Sequence, residues 1–172
     1  MPSARSWNLQ STATLAVVQR GALGGETTCM SADRAFLDTN VVVYVFDHDE
    51  PSKSRRAKDV LKRAKPGELV LSAQVLSEFY VTVTRKLKRP LTVALAARAV
   101  DQLGLLAAVS IDADLVKAAI RISDSSQLSY WDGLIVASAA TAGCERLLSE
   151  DLNDGQVISG VRVENPFRQL TA

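Results

Sequence analysis

Five short apolar runs are separated by stretches with helical periodicity, and this alternation constrains the fold more than any other feature of the chain. The runs are "AFL" (35–37), "ELVLS" (68–72), "AVSID" (108–112), "ERLLSED" (145–151) and "VRVENPF" (161–167). Each reads as a strand. Between them lie "PSKSRRAKDVLKRAKPG", with Pro51 suited to a first helical turn and Pro66-Gly67 as a stop, and "SAQVLSEFYVTVTRKLKRP", closed by Pro90. "LTVALAARAVDQLGLL", "ADLVKAAIRIS" and "YWDGLIVASAATAG", the last closed by Gly143, are three further helices. Strands joined by helices run parallel and need helical cover on both faces, so the expected fold is a three-layer α/β/α sandwich around a mostly parallel sheet. The 172 residues suffice for one such domain. "NVVVYVF", directly after the first strand, fits strand or helix equally by periodicity.

The first thirty residues lack this regularity. They read as a flexible N-terminal extension (1–30) before a domain spanning 31–172, with Met30 as a candidate initiator. Their apolar piece "LAVV" is too short for a signal-peptide core or a membrane span, so a cytoplasmic chain without membrane attachment is expected. Cys29 and Cys144 form no metal or disulfide pattern and read as reduced thiols. Apolar residues at 47% and charged residues at 23% exclude a disordered chain, and 20 basic against 19 acidic residues leave nucleic-acid binding to be decided by how charge is distributed.

In parallel sheets ligands sit beyond the carboxyl ends of the strands. Asp38 ends the first strand and Asp151 ends "RLLSED", while Glu78 and Asp132 each interrupt an apolar helical segment. Taken singly, each acid has a plain structural explanation. Asp38 suits an N-cap, Glu78 an outward helical face, Asp132 the cap of a helix starting at Gly133, and Asp151 a turn in "SEDLNDG". Together they could converge at one sheet edge. Carboxylates about 4 Å apart repel by roughly 4 kcal/mol at an effective dielectric near 20, so such a cluster is not there for stability. It takes up protons or binds a hard cation, and all-oxygen ligands select Mg²⁺ or Mn²⁺ over zinc. Other chemistry is poorly supplied. His48, in "DHDE", reads as a solvated loop residue, and nucleophile-elbow and phosphate-loop patterns are absent.

"FLDTNVVVYVF", "VLSEF", "LSYWDGLIVASAATAGC" and "LLSEDLNDGQ" resemble, in order and approximate spacing, the acidic motifs of PIN-domain ribonucleases, particularly VapC-type toxins of toxin-antitoxin pairs. The likeness spans about 34–167. It implies a metal-dependent endoribonuclease with a Mg²⁺ or Mn²⁺ site, an RNA substrate, a homodimer and a small antitoxin partner. The family's acids fall on Asp38, Glu78, Asp132 and Asp151, which the resemblance makes catalytic residues and metal ligands; its small polar residues fall on Thr39, Asn40 and Ser149. Two departures stand out: Gly133 replaces the usual Ala and is expected to loosen the helix start, and Asp154 competes with Asp151 as the last acid. The alternatives are a DNA-directed nuclease and a noncatalytic PIN-like binding module. An aspartyl-nucleophile phosphatase would want an Asp where Asn40 stands.

Two basic clusters are candidates for a phosphate-binding rim: Lys53, Arg55, Arg56, Lys58, Lys62, Arg63 and Lys65 on one helix, and Arg85, Lys86, Lys88 and Arg89 at the end of the next. The first reads nearly as well as a solvated face. The helix "LTVALAARAVDQLGLL" has apolar residues on more than one face, which fits burial between layers or a protein contact.

Overall fold

A computed structural model of the chain describes residues 33–168. The expected extension over 1–30 and the start at Met30 lie outside the described residues. Strands are β1 (Ala35–Leu37), β2 (Leu69–Ser72), β3 (Ala107–Val109), β4 (Arg146–Leu148), β5 (Val157–Ile158) and β6 (Val161–Glu164). Helices are α1 (Thr39–Tyr44), α2 (Pro51–Arg63), α3 (Ala73–Arg85), α4 (Val93–Leu103), α5 (Ala113–Ser126) and α6 (Tyr130–Thr141). The strand order is β3-β2-β1-β4-β6-β5, parallel throughout except for β5, which pairs antiparallel with β6. This is the expected α/β architecture.

β1 lies at the centre because it is apolar on both faces: Ala35, Phe36 and Leu37 are all buried, as strands covered from both sides must be. "NVVVYV" resolves as helix, since Val41 and Val42 then face the core at 0% exposure. The chain first winds from β1 outward through β2 to β3, then returns to place β4 on the other side of β1. The strand order therefore reverses between β1 and β4, which opens a crevice at their carboxyl ends.

α6 is apolar all round, with Gly133 to Ala139 buried, because it lies between the sheet and α5. Its close approach to α5 depends on Gly133: a Cβ there would meet the Ala119 carbonyl oxygen at 2.7 Å and the Ser123 Cβ at 3.0 Å. The expectation that Gly133 loosens the helix start is corrected: glycine is what lets the two helices seat. The helix also begins at Tyr130 rather than Gly133, capped by Ser129, whose Oγ accepts from the Asp132 N–H.

Two strand expectations are adjusted. "AVSID" leaves the sheet after Val109 because Asp112 caps α5, accepting from the Leu115 N–H at 2.8 Å. β5 was not expected. It forms a hairpin with β6 through Ser159 and Gly160, at φ 51° and 83°, the positive-φ pair that a tight two-residue turn requires.

Candidate active site

Leu37 is the last residue of β1, and the next residue continues the ladder for one more bond, the Asp38 N–H donating to the Leu148 carbonyl. Asp38 thereby enters the crevice between β1 and β4. It is both helix cap and cleft residue, so its two readings from sequence are one position. Its Oδ1 accepts from the Thr39 N–H at 2.6 Å; its Oδ2 accepts from Ser149 Oγ at 2.6 Å and from Asn40 Nδ2 at 3.1 Å. The side chain is 8% exposed, and burial pushes its pKa up to about 6. Hydrogen bonds from Ser149 and Thr39 oppose that rise, and the charges of Asp151 and Glu78 add to it.

The other acids arrive from three different elements. Asp151 follows β4, where its N–H donates to Ser149 Oγ at 3.2 Å and its Oδ2 accepts from Asn40 Nδ2 at 3.1 Å. The Asn40 amide thus bridges two carboxylates. Glu78, on α3, accepts from Thr39 Oγ1 at 2.8 Å and from Gln74 Nε2, one helical turn back, at 2.9 Å. Asp132, in the first turn of α6, accepts from Ser129 Oγ at 2.7 Å. Asp38, Glu78, Asp132 and Asp151 line one cleft of about 440 Å³. None of the four forms an ion pair among the described residues, and the groups that hold them are neutral.

Asp154 goes elsewhere. It accepts from the Asn165 N–H at 2.8 Å and pairs with Arg168, contacts that hold its carboxyl below the usual range, and it does not line the cleft. His48 is also outside the cleft, half-buried rather than fully solvated, its pKa lowered first by burial.

Of the two basic clusters, Lys86 lines the cleft and Lys53 contacts two of its lining residues, Tyr44 and Glu150. Lys53 donates to Glu150 and to the Tyr44 hydroxyl, which itself donates to Glu150 at 2.6 Å. This network ties the residue before Asp151 to α1 and α2, and the reading of single acids missed it. Its signal in the sequence is weak, a charged residue between Ser149 and Asp151. Arg56 and Arg63 instead line a separate hollow of about 300 Å³ between α2 and the sheet.

The residues present were weighed against a divalent cation. As placed, no three His, Cys, Asp or Glu side chains among the described residues converge tightly enough to make a ready-formed metal centre. The donor chemistry nevertheless fits a hard cation. The cleft offers carboxylate, amide and hydroxyl oxygens and no sulfur or imidazole, and Asp38 is a buried carboxylate that forms no ion pair among the described residues. The anions are held by neutral donors, Asn40, Thr39, Gln74 and Ser149, which leave their charge uncompensated.

A mostly parallel α/β sheet with four carboxylates gathered in the cleft at its switch point defines a class of α/β domain with an acidic cleft. The chain matches the PIN domain over residues 35–153, and it belongs to that family. Comparison with curated proteins gave no match. Among solved structures it is similar to a toxin-antitoxin complex from Klebsiella pneumoniae, with 23% identity, TM-score 0.59, and 77% of this chain and 97% of that chain covered. It is also similar to Mycobacterium tuberculosis VapC20, described as a Sarcin-Ricin loop cleaving toxin, with 20% identity, TM-score 0.50 and coverage of 68% and 89%. A third is VapBC2 from Rickettsia felis bound to a DNA fragment from their promoter, with 19% identity, TM-score 0.53 and coverage of 76% and 97%. At these identities the likeness is one of fold.

Proposed function

We propose that this protein is a divalent-metal-dependent endoribonuclease that acts as the toxin of a toxin-antitoxin pair. The observation that carries the reading is the cleft itself: Asp38, Glu78, Asp132 and Asp151, far apart in sequence, line one space and none of them forms an ion pair among the described residues. The family membership supports nuclease chemistry. RNA as the polymer is supported by the description of VapC20 as cleaving the Sarcin-Ricin loop, and an antitoxin partner by the Klebsiella and Rickettsia complexes.

In this reading Asp38, Asp132 and Asp151 hold one or two Mg²⁺ or Mn²⁺ ions, directly or through water, and Glu78 is a further ligand or orients water. A bound divalent ion supplies a more acidic water and offsets the negative charge that develops during phosphodiester hydrolysis. The chain's own residues do the rest. Asn40, spanning Asp38 and Asp151, and Ser149, beneath Asp38, fix the spacing of the carboxylates. Thr39 and Gln74 set the rotamer of Glu78. Lys53 and Tyr44 hold Glu150, and with it the loop that carries Asp151. Lys86 supplies a cation at the mouth for the phosphate backbone.

The test is to incubate the protein with Mg²⁺ and single-stranded RNA, single-stranded DNA or a phosphate monoester in parallel. Cleavage of RNA, lost with EDTA, is expected. Cleavage of DNA alone assigns the chemistry to the other polymer, and no hydrolysis of either polymer leaves a binding module.

A further inference from the structure

A second hollow, of about 610 Å³, adjoins the acidic cleft, and Gln74, Glu78, Thr82, Lys86 and Trp131 line both. Its outer wall is apolar, with Val81 and Ile111 about two-fifths exposed and Trp131 61% exposed. Trp131 immediately precedes Asp132. Tyr130 packs edge-on against the indole with ring centroids 5.2 Å apart, and the Trp131 carbonyl accepts from Gln74 Nε2 at 3.3 Å. The indole, touched by Tyr130 and lining the acidic cleft, presents a flat apolar surface to water.

The charge of the cleft says what that surface is for. Six carboxylates line it, one of them, Glu150, paired with Lys53, against a single lining ammonium, Lys86, so Coulomb attraction to the cleft alone is a weak hold on a phosphodiester backbone. A nucleotide there needs a contact besides the one from Lys86. Stacking does this: every base has a π-face, and the interaction with an aromatic side chain does not depend on phosphate charge. The hollow presents one aromatic plane with a lysine at the shared mouth, which matches an apolar ring joined to an anion. A protein helix would instead be met by a longer stripe of aliphatic side chains.

We propose that Trp131 is the stacking platform for an unpaired nucleobase of the RNA substrate next to the scissile phosphate, with Lys86 receiving the adjoining phosphate. The proposal rests on the nuclease reading and adds a selectivity to it. A base within a duplex is already stacked and paired, so the site discriminates in favour of single-stranded or looped RNA.

The chain has two tryptophans, Trp7 and Trp131, so full-length Trp7→Phe protein reports on Trp131 alone. Carrying Asp38→Asn to suppress cleavage, this protein is titrated with a short mixed-sequence single-stranded RNA, the same RNA annealed to its complement, and an abasic strand of equal length. Saturable quenching by the single strand, with little by the duplex or the abasic strand, is expected. Trp131→Ala should weaken single-strand affinity about tenfold and Trp131→Phe by no more than about threefold, both with an unchanged melting profile. Equal quenching by the abasic strand, or full affinity in Trp131→Ala, overturns the platform. So does a Trp131→Ala protein that loses a protein partner while keeping its RNA affinity, because the hollow then serves that partner. Steady-state cleavage separates this failure from that of the nuclease reading. If the Trp131→Ala single variant cleaves RNA with unchanged KM, the platform alone is wrong; if the unmutated chain neither binds nor cleaves RNA, both are wrong.

Discussion

In the proposed role Asp38 meets two demands that conflict: it is buried at the end of β1, and it would have to be charged to hold a cation. Burial keeps its pKa at about 6 against an ordinary 3.8. The folded chain therefore retains a proton that the unfolded chain releases near pH 4. The contribution of Asp38 to stability is fullest below that pH and is lost as pH rises through about 6, by on the order of 3 kcal/mol in total. Urea unfolding in EDTA across this range is expected to show the decline, and Asp38→Asn to flatten it and raise stability at pH 7; an identical profile in the variant would show that Asp38 is not the group responsible. Added Mg²⁺ should raise the melting temperature of the unmutated chain at neutral pH and do much less for Asp38→Asn, since only a cation bound to the native state stabilises it. At this scale much was legible in the sequence. Asp38 and Asp151 could be picked out because each follows a short apolar strand, and Glu78 and Asp132 because each interrupts an apolar helical segment. What could not be read was the choice between Asp151 and Asp154, which depends on Arg168 and the Asn165 N–H drawing Asp154 away. The exposure of Trp131 was equally hidden, since a tryptophan in an apolar helix reads as core.

The helices position the acids, and one contact shows how tightly. Gly133 lies where α6 meets α5 with no room for a methyl group, so Gly133→Ala forces the helices apart or shifts Asp132, its neighbour. A loss of about 1–3 kcal/mol in chemical denaturation is expected, and an unaffected midpoint would contradict the packing account. The loop after β4 is the softer counterpart. Tyr44→Phe removes one hydrogen bond to Glu150 and should lower stability by about 1 kcal/mol. Most elements were legible because Pro51, Pro66, Pro90 and Gly143 mark helix ends and the apolar runs between them are short. β5 was missed because two residues carry almost no periodicity, although the Ser159-Gly160 pair is a hairpin signal. β3 shifted because its sequence runs into the cap of α5. Gly133 was misjudged because one sequence shows a missing side chain but not the carbonyl that forbids it.

For the molecule as a whole, the strand order that reverses beside β1 brings four distant acids to one place, which alternation of elements implied but could not locate. Among the described residues no helix is long and apolar enough to cross a membrane. Val93 on α4 and Leu105 just beyond it are exposed, so burial between layers, one of the two readings of this helix, does not cover all of its apolar faces. We propose that residues 31–172 carry the nuclease activity and that the protein forms a homodimer. A chain starting at Met30 should keep full activity, and sedimentation should give a mass about twice that of one chain. Loss of activity in the shortened chain, or a concentration-independent monomer, would revise those two statements without touching the site. The central claim is that the buried acid at the end of β1 serves metal-dependent RNA cleavage. Its most direct test compares Mg²⁺-dependent cleavage of single-stranded RNA by the unmutated protein and by Asp38→Ala, with folding of both checked by circular dichroism. A folded variant with activity at least about a hundredfold lower is the predicted result; a folded variant that cuts RNA as fast as the unmutated protein would contradict the account.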